Sequence, residues 1–470
     1  MRKFELPEDL YQFQKEDLDR LLSTDSNFCL FSEMGTGKTP IAIGLATLGN
    51  YKKTLIVCPK TLQLEWARQI SNWTDTPPAV SRRGCYKRLE TLFGEFLKGE
   101  EENPWFIVNY ETFRTRRHLD VLDLYPFDLI ILDEGHKLRN YKTSQTKGMS
   151  EFLSHHKNNR VLAMTGSPIV NNPADLHTLL CMVKPEKYSK WNRMDFINSF
   201  CYYHHTRYGV KITGTRNIEA LRKQTAPFTI RRTKKEVLPY LPEKYYRKVL
   251  LEMNKEQREL YNQMEEELFV LLDSGKPLWA PSVLALLTRL RQLNLDPKIL
   301  GINSPSAKTD FLLDLIESLH GEKLVVYSTF SKYIMYLHHI LPQKHIIITG
   351  DIPWDERMQN VKQFQEDDSI KLALGTVQCM GEGITLTAAS NVIICDRWWA
   401  PSVQVQAEDR LHRIGQPNAV QVIVPTAENS IDSSMDKVLE DKKRMSQEYL
   451  NEGDTLKEVV DNLRVSRRAH

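Results

Sequence analysis

Seven consecutive residues, Glu33-Met34-Gly35-Thr36-Gly37-Lys38-Thr39, have the types and order of a loop that grips nucleotide phosphates. Gly35 and Gly37, with Thr36 between them, permit a tight turn that converges backbone N–H groups on an anion at a helix N-terminus. Lys38 is placed to reach the β- and γ-phosphates, and Thr39 to ligate Mg2+. Ser32 stands where the strict pattern has its first glycine. The second group is Asp133-Glu134-Gly135-His136. Beside a phosphate loop, Asp133 would hold Mg2+, mainly through water, and Glu134 would orient or deprotonate the water attacking the γ-phosphorus. By itself, an acidic pair after a strand is also an ordinary turn or helix cap. The third group is the run from Gln406 to Gln416. Arg410 and Arg413 are three apart, so on a helix they share a face, and two convergent guanidiniums suit a polyphosphate. An arginine finger contributes on the order of 10³–10⁵ in rate. The plain alternative is a solvated helical face with Glu408 paired to His412.

Two regions have the short apolar runs, alternating with helical patterns, that build parallel α/β sheets. In the first, strands are expected at 28–31, 54–58, 106–109, 129–132 and 161–165; in the second, at 323–328, 345–349, 372–376, 391–395 and 420–424. The phosphate loop then joins a strand to the buried helix that begins near Ile41, and the acidic pair closes a strand at the ligand edge of its sheet. Between the regions, about 172–300 is rich in Leu, Tyr, Glu, Lys and Arg, with amphipathic helices expected at 254–273 and 283–295. Pro239, Leu241, Pro242 and Glu243 suggest a stiff crossing. The expected layout is a first lobe, 1–238, with a helical insertion at about 172–228; a linker, 239–245; and a second lobe, 246–470, with a helical insertion at about 250–300 and a helical, basic tail at about 431–470.

At 470 residues, 41% hydrophobic and 26% charged, the chain has an ordinary globular composition. A net charge of +3 means that any nucleic-acid track must be local. Seven cysteines without a C-x-x-C pair argue against a zinc site or disulfide framework and fit a reducing interior. The N-terminus lacks the apolar core of a signal peptide, and no apolar run approaches the roughly 20 residues that span a bilayer. A soluble intracellular protein is expected, in a bacterium or a virus-infected cell rather than a nucleus.

The ordered set of motifs resembles the Swi/Snf (Snf-type) helicase-like ATPases of helicase superfamily two, over nearly the whole chain. Phe13-Gln14 resembles the adenine-reading motif. The phosphate loop matches except at Ser32, where aspartate is usual. Leu55-Ile56-Val57-Cys58-Pro59 with Leu64-Glu65-Trp66, Val108-Asn109-Tyr110-Glu111, Asp133 to Asn140, Thr165-Gly166-Ser167-Pro168 and Ile230-Arg231-Arg232-Thr233-Lys234 follow in the family's order. So do Val325 to Phe330, Gly381 to Ala389, and the box from Gln406 to Gln416, whose wording is nearest the fork-remodelling, annealing-helicase branch. Met380, Thr385 and Ala400 depart from the usual glycine, asparagine and asparagine.

The resemblance implies two tandem RecA-like lobes with helical insertions and one ATP, with Mg2+, split between them. Gln14, Gly383 and Gln406 would join the nucleotide contacts. Glu134, Arg410 and Arg413 would be catalytic, and His136, Thr165 and Ser167 would couple the halves. Pro59, Lys60, Tyr110, Thr329, Phe330, Thr376 and Trp399 would face DNA, core packing being the alternative for Tyr110 and Trp399. Closure about 239–243 would drive a monomeric motor along double-stranded DNA without separating strands. A strand-separating DNA or RNA helicase, an ATP-gated DNA-binding scaffold with little turnover, and a small-molecule kinase are the competing readings. The kinase leaves the second α/β region and the paired arginines unexplained.

Overall fold

The computed structural model describes residues 5–81, 105–166, 168, 172–206, 209–273, 281–380, 383–398, 401–436 and 462. Ser167, Trp399, Ala400 and nearly all of the expected tail lie outside the described residues. The chain divides into two compact units, Met1–Pro239 and Tyr240–His470.

The first unit is wound on a parallel sheet of seven strands: β1 (Phe28–Leu30), β2 (Thr54–Cys58), β3 (Ala79–Val80), β4 (Trp105–Asn109), β5 (Leu129–Asp133), β6 (Arg160–Met164) and β9 (Thr229–Ile230), in the order β3-β4-β2-β5-β6-β1-β9. Its central strands are buried along their whole length, which is why they read as unbroken apolar runs. Alternate side chains feed two cores. Leu55, Val57, Phe106, Val108, Ile130 and Leu132 point to one face. Ile56, Trp105, Ile107, Leu129, Ile131 and Leu162 point to the other, against the helices Lys38–Leu48 and Gln63–Trp73.

The second unit repeats the plan with six parallel strands: β10 (Lys244–Leu251), β11 (Leu324–Ser328), β12 (His345–Ile348), β13 (Leu372–Thr376), β14 (Asn391–Ile394) and β15 (Val420–Ala427), ordered β10-β15-β14-β11-β13-β12. Every strand expected from the sequence is present, with ends shifted by a few residues at most.

Three departures have physical reasons. The stretch 172–228 holds, besides helices, an antiparallel hairpin, β7 (Cys201–Thr206) with β8 (Gly209–Thr215); β7 is rich in Tyr and His and β8 in Gly and Thr, so neither has a long apolar run. The strands β3 and β9 are two residues each, too short for any period to show. The segment 239–245, expected as a linker, gives Lys244 and Tyr245 to β10, an edge strand whose Tyr245, Tyr246 and Arg247 are all exposed and so break the alternation of a buried strand. The insertion helices fall where expected, at Lys255–Asp273 and Pro281–Leu295, and pack together through Tyr261, Leu268, Phe269, Val283, Leu287 and Leu290. Among the described residues no helix is long and apolar enough to cross a membrane.

Candidate active site

In the first sheet β5, β6 and β1 lie side by side, so the turns after them share one edge. The turn after β1 is the phosphate loop. Gly35 (φ 81°) and Gly37 (φ 78°) take left-handed conformations that side chains resist, and Gly37 caps the helix Lys38–Leu48. The Lys38 ammonium donates back to the Ser32 and Glu33 carbonyls at 2.8 and 3.1 Å, and the Thr36 hydroxyl to Glu33 O at 2.8 Å. Gln14 is only 3% exposed. Its amide donates to Thr36 O (3.0 Å) and Gly37 O (3.3 Å), and its oxygen accepts from the Tyr11 N–H (2.9 Å). The side chain expected to read adenine therefore braces the loop from behind.

The turn after β5 carries the acids. Asp133, 8% exposed, accepts from the Trp66 indole N–H on Oδ2 (2.7 Å) and from the Glu134 N–H on Oδ1 (3.0 Å). Burial, then the charge of Glu134, pushes its pKa up to about 6, against the Trp66 hydrogen bond, the Lys38 charge and the Glu134 N–H. Glu134 itself is left-handed at φ 53°, an unusual state for a glutamate and a mark of a constrained site. The twist brings its Oε2 to 3.1 Å from His136 Nδ1 and 3.4 Å from Thr165 Oγ1, while His136 Nδ1 and Thr165 Oγ1 are 3.0 Å apart. Thr165 follows β6, the strand between the other two, and its N–H donates to Leu30 O of β1 at 3.1 Å. Gly166 lies so close to the phosphate loop that a Cβ would stand 2.6 Å from Met34 Cγ. Glu134, His136 and Thr165 thus form one triangle touching both loops.

The donor set fits a hard cation and a polyphosphate. Mg2+ takes hydroxyl and carboxylate oxygen. Thr39 is half-buried, and each Asp133 oxygen has one protein donor with capacity for another. Thr39 and Asp133 would hold the metal, which when bound supplies charge neutralisation to phosphate oxygens.

In the second unit the helix Pro401–Glu408 stops short of both arginines. Arg410 and Arg413 do not share a helical face; they lie in turns beyond it. The chain is folded back there by Gln416, whose amide donates to the Thr387, Ala389 and Leu411 carbonyls, and by a Leu386 N–H bond to Arg410 O. Arg413 Nη1 donates to Thr385 Oγ1 at 3.0 Å. Glu408 does not pair with the His412 ring. It accepts from Lys244 (3.1 Å), the Tyr246 hydroxyl (2.6 Å) and Gln404 (2.9 Å), while His412 Nε2 faces Pro242 O at 2.7 Å. Gly383 is left-handed (φ 72°) and Gln406 is half-buried.

The residues expected to face DNA separate by exposure. Lys60 is exposed on the turn after β2, with Pro59 buried beside it. Tyr110 is not at the surface: it is 3% exposed, and its hydroxyl donates to the Asp133 carbonyl at 2.7 Å. Thr376 is 5% exposed, and Thr329 and Phe330 are half-buried. Sequence reasoning, which reached Asp396 as the start of the motif running to Pro401, passed over its pairing with Arg291 and that of Trp66 with Asp133, and Lys244 and Arg291 altogether. Trp66 lay within a quoted motif, but nothing in its spacing shows that its N–H meets a carboxylate 67 residues later.

Two parallel α/β units, the first with a phosphate loop wired to an Asp-Glu pair, define the class of two-lobed, helicase-like nucleotide hydrolases. The SNF2-related domain pattern matches residues 13–299 and the helicase conserved C-terminal domain residues 307–415, and the chain belongs to the SNF2 family of helicase-like ATPases. That family implies ATP and typically Mg2+. The chain is 26% identical over 463 residues to the DNA annealing helicase and endonuclease ZRANB3 of Bos taurus, covering 94% of this chain and 40% of the relative. It is 27% identical over 459 residues to an uncharacterized ATP-dependent helicase of Mycoplasma genitalium, covering 94% and 42%. The chain spans less than half the length of these relatives. A Sulfolobus solfataricus SWI2/SNF2 ATPase core, solved with double-stranded DNA, aligns at TM-score 0.42 and 24% identity over 97% of this chain and 96% of that one.

Proposed function

We propose that this chain is an ATP-driven translocase or remodeller of double-stranded DNA, working as a soluble monomeric motor. The observation that carries the chemistry is the triangle of Glu134, His136 and Thr165, set between the phosphate loop and the Asp133 carboxylate. In this reading Lys38 and Thr39 bind the nucleotide, Asp133 holds the metal, and Glu134 serves the attacking water. His136 and Thr165 relay the state of that water to the turn after β6. Arg410 and Arg413 act on the same ATP from the second unit, so turnover requires closure of one unit upon the other. Support for DNA comes from the family and from relatives named as DNA annealing helicases.

The test is steady-state ATP hydrolysis at one salt concentration with no nucleic acid, single-stranded DNA, blunt duplex DNA or duplex RNA. Strong stimulation by blunt duplex, followed by displacement of a triplex-forming strand, is expected. Stimulation by single strands or RNA alone, with release of unwound strands, would put a strand-separating helicase in its place. The split site is tested by Arg413→Ala, which should bind ATP and fail to hydrolyse it; normal hydrolysis overturns that arrangement.

A further inference from the structure

The insertion helix Pro281–Leu295 sends one charged side chain into the body of the second unit. Arg291 is 6% exposed, and its Nη2 donates to Asp396 Oδ2 (3.2 Å), Thr329 Oγ1 (3.2 Å) and the Arg397 carbonyl (2.7 Å). The guanidinium also stands over two rings, Phe330 at 5.2 Å and Trp398 at 5.8 Å from the centroids. These partners belong to two turns, one after β11 and one after β14, and β11 and β14 are neighbours in the sheet. Asp396 ties the same turns from within by accepting from Ser328 Oγ (2.5 Å) and from the Thr329 N–H (3.0 Å) and hydroxyl. The second turn is held on its other side as well, where Arg397 pairs with Asp436 at 2.6 Å. Nη2 alone reaches the carboxylate, the hydroxyl and the carbonyl, sharing its two N–H groups among them, and the planar guanidinium face lies over two rings, an arrangement that the compact ammonium of lysine does not reproduce.

We propose that Arg291 is a positioning residue for nucleic-acid engagement: it locks the turns bearing Thr329–Phe330 and Asp396–Trp398 into one surface, and so makes the helical insertion part of the DNA-contacting apparatus. The inference rests on the duplex-DNA reading above, for which Thr329 and Phe330 were expected contacts. It assigns the insertion a task in the motor and leaves nucleotide chemistry to other residues.

The experiment uses the full chain with Arg291→Lys and Arg291→Gln. The lysine variant keeps a positive charge beside Asp396 and guards against simple misfolding. Three quantities are read: ATP hydrolysis without DNA, the duplex DNA concentration giving half-maximal stimulation, and amide exchange of 328–331 and 396–398. Both variants should exchange faster in those two segments. The half-stimulating DNA concentration should rise roughly tenfold, the size of one lost contact at a base or backbone, with the DNA-free rate changed far less. Unchanged exchange with unchanged DNA dependence in folded Arg291→Lys overturns the inference, as does an equal fall in rates with and without DNA. If the unsubstituted protein itself shows no response to duplex DNA, the functional reading has failed and the inference falls with it; a normal response there, with indifferent variants, removes the inference alone.

Discussion

Each unit places a buried aspartate at the C-terminal end of a central parallel strand, and the two have opposite fates. Asp133 closes β5 and Asp396 follows β14; they are 8% and 4% exposed. Asp133 has neutral donors, the Trp66 indole and one backbone N–H. Asp396 receives Ser328 Oγ, the Thr329 N–H and hydroxyl, and the Arg291 guanidinium. A carboxylate has about four lone-pair sites, so Asp396 is saturated and its charge compensated, whereas Asp133 keeps capacity and charge for a cation. The same residue type at the corresponding edge of each sheet keeps open acceptor sites or has them filled according to the donors that neighbouring elements send to it.

The sharpest way to break this comparison is at Glu134. If the first unit's edge is the chemical one, Glu134→Gln should lower ATP turnover by about 10²–10⁴ while leaving nucleotide affinity and thermal stability near normal. A stopped-flow or steady-state assay beside a nucleotide titration decides it. Residual turnover within a few-fold of normal would move the base elsewhere.

The aspartates themselves should respond with opposite signs in stability. Asp396→Asn strips Arg291 of its buried counter-charge and should cost about 3–5 kcal/mol in denaturant unfolding. Asp133→Asn leaves one acceptor oxygen for two N–H donors, a cost of about 1 kcal/mol, yet without Mg2+ it should on balance stabilise above pH 6. Burial raises the folded pKa of Asp133 above its unfolded value, so its stabilising contribution is full below the unfolded value and is lost as pH rises through about 6. Asparagine removes that loss, on the order of 3 kcal/mol for a rise from 3.8 to about 6, and the difference should shrink towards pH 4 and below. Unfolding curves at pH 4 and pH 8 in a chelator test the sign, and destabilisation by both substitutions would end the contrast.

Trp66 sharpens the picture on the metal side. Trp66→Phe keeps an aromatic ring, with the loss of the fused pyrrole's volume, and deletes the N–H that fixes Asp133 Oδ2. Outer-shell partners of metal ligands are worth about 10–100-fold in affinity, so the Mg2+ concentration for half-maximal nucleotide binding should rise by about tenfold. Binding of nucleotide in chelator should be unaltered. An unchanged Mg2+ requirement would make the indole a packing group only.

Much of this was legible in the chain because parallel strands buried on both faces leave short apolar runs, set apart from a buried helix such as Lys38–Leu48 by their length and β-branched content, and because phosphate loops require particular glycines. The strands on either side of Lys38 and Asp133 were therefore readable to within a few residues. What was hidden depends on meetings between distant side chains. Trp66 to Asp133, Arg291 to Asp396 and Lys244 to Glu408 are each separated by dozens of residues, and no local period records them. The arginine box was misjudged for a related reason. Its helix is ended by Gln416 bonding back to carbonyls at 387, 389 and 411, a tertiary effect that overrides helical spacing. Edge strands such as β10 escape notice because exposure on both faces erases alternation.

The smallest effect concerns Tyr110, where the two readings of one residue can be separated. Its resemblance to a family motif suggested a DNA contact, but the ring is buried and its hydroxyl holds the Asp133 carbonyl. A hydroxyl in that position contributes about 1 kcal/mol through a buried hydrogen bond, and its loss strands a carbonyl away from water. Tyr110→Phe should therefore lower unfolding stability by about 1 kcal/mol. It should also raise the Mg2+ requirement slightly, because it loosens the same aspartate that Trp66 steadies. The duplex DNA concentration for half-maximal stimulation should stay where it is. A clear rise in that concentration, with stability intact, would return Tyr110 to the DNA surface and make the edge of the first sheet, like that of the second, a place where packing and contact share one side chain.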